Sequence, residues 1–567
     1  MPLAIAAMII MTLSDLSGHL FVLGAPWCQR NESCWPTPVD VARLVAALDP
    51  SANRSLFWSG GSAPLVCAVP EGSPDNQPLF GAGLALSAVY DDAGHRRQAT
   101  QTCFEPFYNP FVSPMCLQST RNNPLEAWQP SFVVWPLTAA HIRTAIAFAV
   151  NHSLCVMVTA TGHDFLNRHS CPDGVMIRTS LMKEMALVAP DAFRFGPGIV
   201  FSEAHHFAGL HNRSMASGWA PTVGIVGWSL GGGHGPMAPS LGLGVDNIVE
   251  VTLVDAQMNA RIVNATSHGD LFWALRGGGG STWGVVTSMV VRAHPVPSGG
   301  YTRVVLQWNG TLCGVSFVTF RTLLDEFVRW TSELDFRWAG TTNFVSMPSF
   351  FTSDCPATWQ VNVSYAFQGP PTDQDFVTGI ANLTDRIPPN VEPPRILAYP
   401  TWWDAVAQME MPTIVPTAFL PATPSYVGAV PSVLVNRSSW QQRGAMHLSR
   451  IVSLCNESIM LCGLQQLCHD LTGNVGSPRP PLRSTPLSDG MREGIVHLIG
   501  GGIFNDSIVD EWFYSLGENS YFSESAYRMR EWGGRYWGAQ NHVKLRAIKR
   551  KYDPQGLFYC RHCVGDE

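Results

Sequence analysis

The chain has 567 residues, of which 46% are hydrophobic and 14% charged, and a formal net charge of −7. This length supports two or three domains around a large core, and the apolar balance excludes a disordered chain. Negative net charge, with basic density confined to the segment near Lys544–Lys551, excludes nucleic acid as the main partner.

Residues 1–24 read as a secretory signal peptide. Leu3–Leu13 is an apolar run of suitable length, although no Lys or Arg precedes it, and Asp15 interrupts it too early for a stable membrane span. Residues 25–124 read as an N-terminal extension on the main body. It opens with a helix capped at Thr37, with Pro38 in the first turn, Asp40 at the positive end and an apolar face of Val41, Leu44, Val45 and Leu48. Phe132–Pro136 reads as a strand. Thr138 then caps a helix whose apolar face is Ile142, Ala145, Ile146, Ala149 and Val150. Cys155–Thr159 is a second strand, ending in Thr161-Gly162-His163-Asp164. A further strand, Val175–Arg178, follows a Pro-Asp-Gly turn, and Ser202 is the expected cap of the next helix.

The stretch Ala220–His294 is the densest in glycine among apolar residues. It contains Pro221-Thr222-Val223-Gly224, Gly231-Gly232-Gly233-His234-Gly235, Asp270-Leu271-Phe272-Trp273-Ala274-Leu275-Arg276-Gly277-Gly278-Gly279-Gly280 and Trp283-Gly284-Val285. Linkers are polar, and this stretch is not. Glycine permits positive φ and close backbone approach, and the exposed N–H groups of such turns bind anions such as a pyrophosphate. Taken alone, the same pattern also describes glycine-rich turns in a β-rich core.

After Pro297, Tyr301–Trp308 and Thr358–Phe367 read as strands, and Phe317–Leu334 and Asp375–Ile387 as helices. Residues 298–504 form a separate α+β domain with Pro-rich loops at 388–424 and 477–486. The final segment, 505–567, carries Tyr521-Phe522-Ser523-Glu524 and then a basic helix with Leu545, Ile548 and Tyr552 inward, stopped at Asp553-Pro554.

Asn-x-Ser/Thr sequons begin at Asn31, Asn53, Asn151, Asn212, Asn264, Asn309, Asn362, Asn382, Asn436, Asn456 and Asn505. So many in a chain poor in charge point to a secreted, extracellular glycoprotein. Fourteen Cys fit some disulfides, the nearest pairs being Cys28/Cys34 and Cys560/Cys563. No second Cys/His pair accompanies Cys560-x-x-Cys563, so zinc is not expected there and no metal site is assigned.

Thr161-Gly162-His163-Asp164-Phe165, the glycine runs, Asp270–Gly280, Asn541-x3-Leu545-x3-Lys549 and Lys551-Tyr552-Asp553-Pro554 occur in this order. Together they resemble the FAD-linked oxidases of the vanillyl-alcohol-oxidase type, in the berberine-bridge-enzyme-like group and its fungal relatives. The resemblance covers roughly residues 125–297 and 505–567. It implies an α+β chain with a two-subdomain FAD-binding domain of the PCMH type, residues 125–297, interrupted by the substrate domain and completed by the final segment.

The resemblance also implies that FAD is the cofactor, attached through its 8α-methyl to His163. Thr161, Gly162, Asp164, Thr222, Val223, Gly224, Gly227, Gly232, Gly233, Gly235, Val285 and Asn541 join His163 in binding it. The N–H dipoles of the glycine turns then serve the pyrophosphate without Lys or Arg. Related enzymes add a second bond from a Cys before Pro-Thr-Val-Gly. Here that position is Ala220, which has no thiol, leaving His163 as the sole tether. Asn167-Arg168-His169-Ser170 departs from the family loop, and Ser523 stands where the family has Asn. Tyr521 is the candidate base and Glu524 the second. A phenol titrates at about pH 10, so Tyr521 needs a neighbour to act near neutrality. Arg276 is expected to tie two loops together.

The implied activity is hydride transfer from a substrate carbon to flavin N5, with electrons passed to O2 to give hydrogen peroxide. The substrate is a small molecule, an alcohol of the carbohydrate or phenolic class, with the carbohydrate side preferred for an extracellular setting. Two alternatives stand beside it: a biosynthetic flavin oxidoreductase for oxidative cyclisation or dehydrogenation, and a catalytically lapsed flavin-binding glycoprotein.

Overall fold

The computed structural model describes residues 27–28, 32–48, 57–59, 88–90, 96–98, 131–161, 163–164, 166, 168, 174–219, 223–311, 314–348, 357–387, 392–407, 432–446, 465–470, 484–501, 514–525 and 529–566. The expected signal peptide lies outside them, as do Gly162, Phe165, Ala220, Pro221 and Thr222.

Helix α1 (Pro38–Leu48) starts at a reciprocal cap. Thr37 Oγ1 accepts the Asp40 N–H at 3.3 Å, and Asp40 Oδ2 accepts the Thr37 N–H at 3.0 Å. Leu44 and Leu48 are buried, whereas Val45 turns outward. Strand β1 (Phe57–Ser59), from the N-terminal extension, pairs antiparallel with β2 (Phe132–Val134). Helix α2 (Ala139–Asn151) begins where Thr138 accepts the His141 N–H at 3.3 Å. It buries Ile142, Ala145, Ile146 and Ala149 as expected, with Phe148 rather than Val150 completing the face.

Strands β3 (Val156–Thr159) and β4 (Val175–Arg178) follow, and the first sheet has the order β1-β2-β4-β3 with β2, β4 and β3 parallel. Parallel strands need a crossover, and α2 supplies the one from β2 to β3, which lies on the far side of β4. Phe558 forms a parallel bridge to Val156, so the C-terminal segment returns to this sheet, and Leu557 and Phe558 enter its core with Ile142 and Val175.

The second sheet is antiparallel. It contains β5 (Met185–Ala189), β6 (Ala192–Phe195), β7 (Ile248–Val254), β8 (Ala260–Asn264) and β9 (Val285–Arg292), in the order β8-β7-β9-β6-β5. Helix α3 (Phe201–Leu210) packs on it through Phe201, Ala204 and Ala208. Ser202 is not its cap. It lies buried inside the first turn, and Glu203 Oε2 instead accepts the Val200 N–H at 2.9 Å, because a carboxylate three residues in can reach back where an inward-facing hydroxyl cannot.

Residues 301–501 carry a seven-stranded antiparallel sheet. Its strands are β10 (Tyr301–Thr311), β11 (Trp338–Pro348), β12 (Ala357–Gln368), β13 (Arg395–Tyr399), β14 (Ser432–Asn436), β15 (Gln465–Asp470) and β16 (Gly494–Gly501), in the order β13-β10-β12-β11-β15-β16-β14. Helices α4 (Gly314–Glu333) and α5 (Gln374–Thr384) cover it, burying Trp330, Phe327, Phe376 and Leu383 against Trp338, Tyr365 and Phe367. The last helix, α6 (Ala539–Tyr552), buries Leu545, Ile548 and Tyr552 in the core of the second sheet. Among the described residues, no helix is long and apolar enough to cross a membrane.

Candidate active site

Three segments converge here: the loop after β3, the glycine-rich stretch and the Tyr521–Ser525 loop. The first is fastened by a carboxylate. Asp164 Oδ1 accepts the N–H groups of Leu166 (2.8 Å) and Arg168 (3.1 Å), and its Oδ2 meets Arg168 Nη1 at 3.1 Å. Arg168 is only 3% exposed. It donates onward to the carbonyls of Phe522 (2.7 Å) and Arg561 (3.1 Å), and its guanidinium lies over the Phe522 ring. His163, half-buried, is thereby held on a loop fastened within itself and to the C-terminal segment. Thr161 lies against Gly224, where an added Cβ would sit 3.5 Å from its Oγ1 and 3.2 Å from Ala160 Cβ.

Val223 and Gly224 run antiparallel to Ile199–Phe201, with Phe201 N–H donating to Val223 O and Ile225 N–H to Ile199 O, both at 3.1 Å. The short helix Ile225–Leu230 follows. A Cβ on its Gly227 would meet nothing within 4 Å, and one on Gly280 would meet only Gly227 Cα at 4.0 Å. Among the described residues these two glycines border open space, close to the end of β3, where Gly224 meets Thr161 and Ser281 Oγ donates to Val158 O at 2.9 Å. Gly233 and Gly235, by contrast, are enclosed. A Cβ on Gly235 would fall 2.0 Å from Ser217 O; on Gly233, 2.9 Å from Gly244 Cα. Gly232 and Gly233 have φ of +130° and +77°, and the Gly233 N–H donates to Tyr521 Oη at 3.2 Å. Val285 is wholly buried in the core between the two sheets, and Asn541 donates from Nδ2 to Pro486 O at 3.1 Å. Lys549 is not a phosphate ligand: its Nζ is taken by Thr282 O, Phe558 O and Asp553. Arg276 does tie loops, donating to the carbonyls of Val245 (2.8 Å) and Ser484 (3.4 Å). Cys560 and Cys563 are joined as a disulfide, as are Cys28 and Cys34.

Below Gly233 lies a corner of polar side chains. Tyr521 is 1% exposed, and burial followed by the Glu524 carboxylate pushes its phenol well up from the ordinary value. Glu524 Oε2 meets His234 Nε2 at 3.1 Å and His497 Nδ1 at 3.3 Å. His497, fully buried on β16, is pushed far below the ordinary histidine value by that burial and then by His234. Tyr521 and Glu524 stand out in the sequence as candidates, whereas no motif assigns a role to His234 or His497. His234 stands inside the quoted glycine run. The only signal for His497 was a lone imidazole in the apolar run Gly494–Gly501, which does not reveal what the strand faces.

Among the described residues, the backbone at Gly227 and Gly280 opens onto space, which suits a cofactor recognised through main-chain dipoles. The comparisons agree. Residues 130–264 match the family described as FAD binding domain, and residues 517–565 the family described as Berberine and berberine like. FAD-linked oxidoreductase cheF of Chaetomium globosum is 28% identical over 76% of this chain and 68% of its own length. VAO-type flavoprotein oxidase VAO615 of Thermothelomyces thermophilus is 24% identical over 96% of this chain and 94% of its own. The crystal structure of the VAO-type flavoprotein MtVAO615 from Myceliophthora thermophila C1 shares the fold, with a TM-score of 0.68 at 21% identity, covering 95% and 97% of the two chains. Fold and site define a flavoprotein. The chain is an FAD-dependent oxidoreductase with an FAD binding domain and a berberine-like C-terminal segment, and it is similar to flavoprotein oxidases of the vanillyl-alcohol-oxidase type.

Proposed function

We propose that this FAD-dependent enzyme oxidises an alcohol carbon of a carbohydrate or phenolic substrate, with O2 as the electron acceptor and His163 as the sole covalent attachment of the flavin. The observation that carries this reading is the open, glycine-bordered space at Gly227 and Gly280 close to the end of β3, with the Tyr521 corner alongside. Bound FAD supplies a hydride acceptor at N5 and a route for two electrons to oxygen, giving hydrogen peroxide.

The residues of the chain do the rest. Asp164 and Arg168 hold the loop that presents His163. Gly224 and Gly227 let backbone approach the cofactor without a side chain intervening. The proton of the reacting hydroxyl leaves toward the corner of Tyr521, His234 and Glu524. Ala220 removes the thiol that a second flavin bond requires. An extracellular setting fits the sequons and the Cys28–Cys34 and Cys560–Cys563 disulfides.

The test is peroxide release, with anaerobic bleaching of the flavin, across a panel of sugars, oligosaccharides and phenolic alcohols. Bleaching by one member, with stoichiometric peroxide on admitting air, is the expected result. Bleaching without peroxide assigns a dehydrogenase with another acceptor. A ring-closed product assigns oxidative cyclisation. No bleaching by any alcohol removes the reading.

A further inference from the structure

Glu524, His234 and His497 arrive from three unrelated parts of the chain: the C-terminal loop, the glycine turn and substrate-domain strand β16. Their ligand-type atoms all lie within 4.8 Å of one another. One carboxylate oxygen sits 3.1 Å from His234 Nε2 and 3.3 Å from His497 Nδ1. A tetrahedral ion with bonds of about 2.0–2.2 Å holds its ligand atoms roughly 3.3–3.6 Å apart, so these spacings are close to those of a ligand set.

A second observation is independent of that spacing. His497 is 0% exposed, and among the described residues neither ring nitrogen has a hydrogen-bond partner. Buried polar groups are almost always satisfied, and an exception at a functional site calls for a missing partner. The Nδ1 of this orphaned imidazole points to the Glu524 oxygen without forming a bond of proper geometry.

We propose that His234, His497 and Glu524 bind one divalent transition-metal ion of the zinc class. Two imidazole nitrogens and one carboxylate oxygen form a ligand set that such an ion accepts, and three protein ligands leave a fourth position for water or a substrate oxygen. Tyr521, whose ring packs edge-on against both imidazoles, walls the site. The ion deepens the proposed alcohol chemistry by fixing the hydroxyl oxygen in that corner, and in this respect it rests on that reading. Its binding does not.

The experiment uses the full chain, stripped with chelator and titrated with Zn2+ and separately with Co2+. Bound metal is counted by plasma mass spectrometry and the Co2+ form is read by its visible ligand-field bands. Flavin content is measured on the same samples. About one equivalent per chain is expected, with affinity falling by on the order of a hundredfold or more in Glu524→Gln and in His497→Leu, since even outer-shell losses cost about 10–100-fold. His205→Phe, at a buried histidine outside the cluster, keeps the metal. If His497→Leu fails to fold, Glu524→Gln alone decides. Wild-type protein with no metal above the buffer background overturns the proposal, as does full metal retention in Glu524→Gln. Flavin without metal sinks this inference alone, whereas metal without flavin sinks the oxidase reading alone.

Discussion

Arg168 Nη2 donates to the carbonyl oxygen of Phe522 at 2.7 Å, joining residues 354 positions apart. The loop that presents His163 and the loop that carries Tyr521 are therefore set by one guanidinium, which also meets Asp164 at 3.1 Å. Arg168→Met keeps the contact with the Phe522 ring but removes every donor. Each hydrogen bond to a charged group is worth about 1.5–3 kcal/mol, so a loss of roughly 3 kcal/mol or more is expected in denaturant unfolding. Covalent flavin content should fall with it. Unchanged stability and flavin content would show that the two loops are set by something else.

The glycines divide into those that face space and those that face protein, and the two groups should respond differently to substitution. Gly227→Leu adds a side chain where no described residue lies within 4 Å, within a helix. It should fold with wild-type circular dichroism yet lose flavin absorbance. Gly235→Ala places a Cβ 2.0 Å from Ser217 O, so it should fail to accumulate as folded protein. A Gly227→Leu variant that loads flavin normally would move the cofactor elsewhere.

Arg492 and Asp246 form a buried bidentate pair at 2.6 and 2.9 Å, 3% and 6% exposed, between the substrate domain and the glycine-rich stretch. Removing one partner strands the other as an uncompensated charge. Arg492→Ala is expected to cost about 3–5 kcal/mol in unfolding free energy, and Arg492→Ala with Asp246→Ala less than the sum of the singles. Additive single and double variants would contradict the pairing.

His205 is buried against Phe201 and Trp402, and that burial lowers its pKa from 6.5 to about 3. The unfolded chain takes a proton that the folded chain refuses. This contribution to stability is complete above about pH 6.5 and is lost as the pH falls toward about 3, at roughly 1.4 kcal/mol per pH unit. His205→Phe keeps a ring and removes the titration. The stability difference between about pH 7 and pH 5 should shrink by about 2 kcal/mol in chemical denaturation at the two pH values. An unchanged difference would place the acid sensitivity on other groups.

These tests fall on residues of unequal visibility in the sequence. Local signals were legible: Thr37 and Thr138 cap their helices because capping depends on neighbours three residues away. The histidine loop and glycine runs were legible as ordered motifs. Ser202 misled because Ser and Glu both suit a helix start, and only the direction in which each side chain points separates them. Two enclosed glycines, Gly233 and Gly235, read like cofactor-facing ones, since glycine serves close packing and ligand approach equally well. His497 was illegible for a different reason. Its meaning lies in β16 facing Tyr521 and Glu524, a relationship set by long-range sheet order.

The proposed covalent attachment at His163 is tested most directly by acid denaturation of the purified protein, with the His163→Ala variant beside it. Flavin that precipitates with the wild-type polypeptide, and is released from or missing in His163→Ala, is the predicted result. Flavin released into the supernatant from wild-type protein, or still attached in the variant, would contradict it.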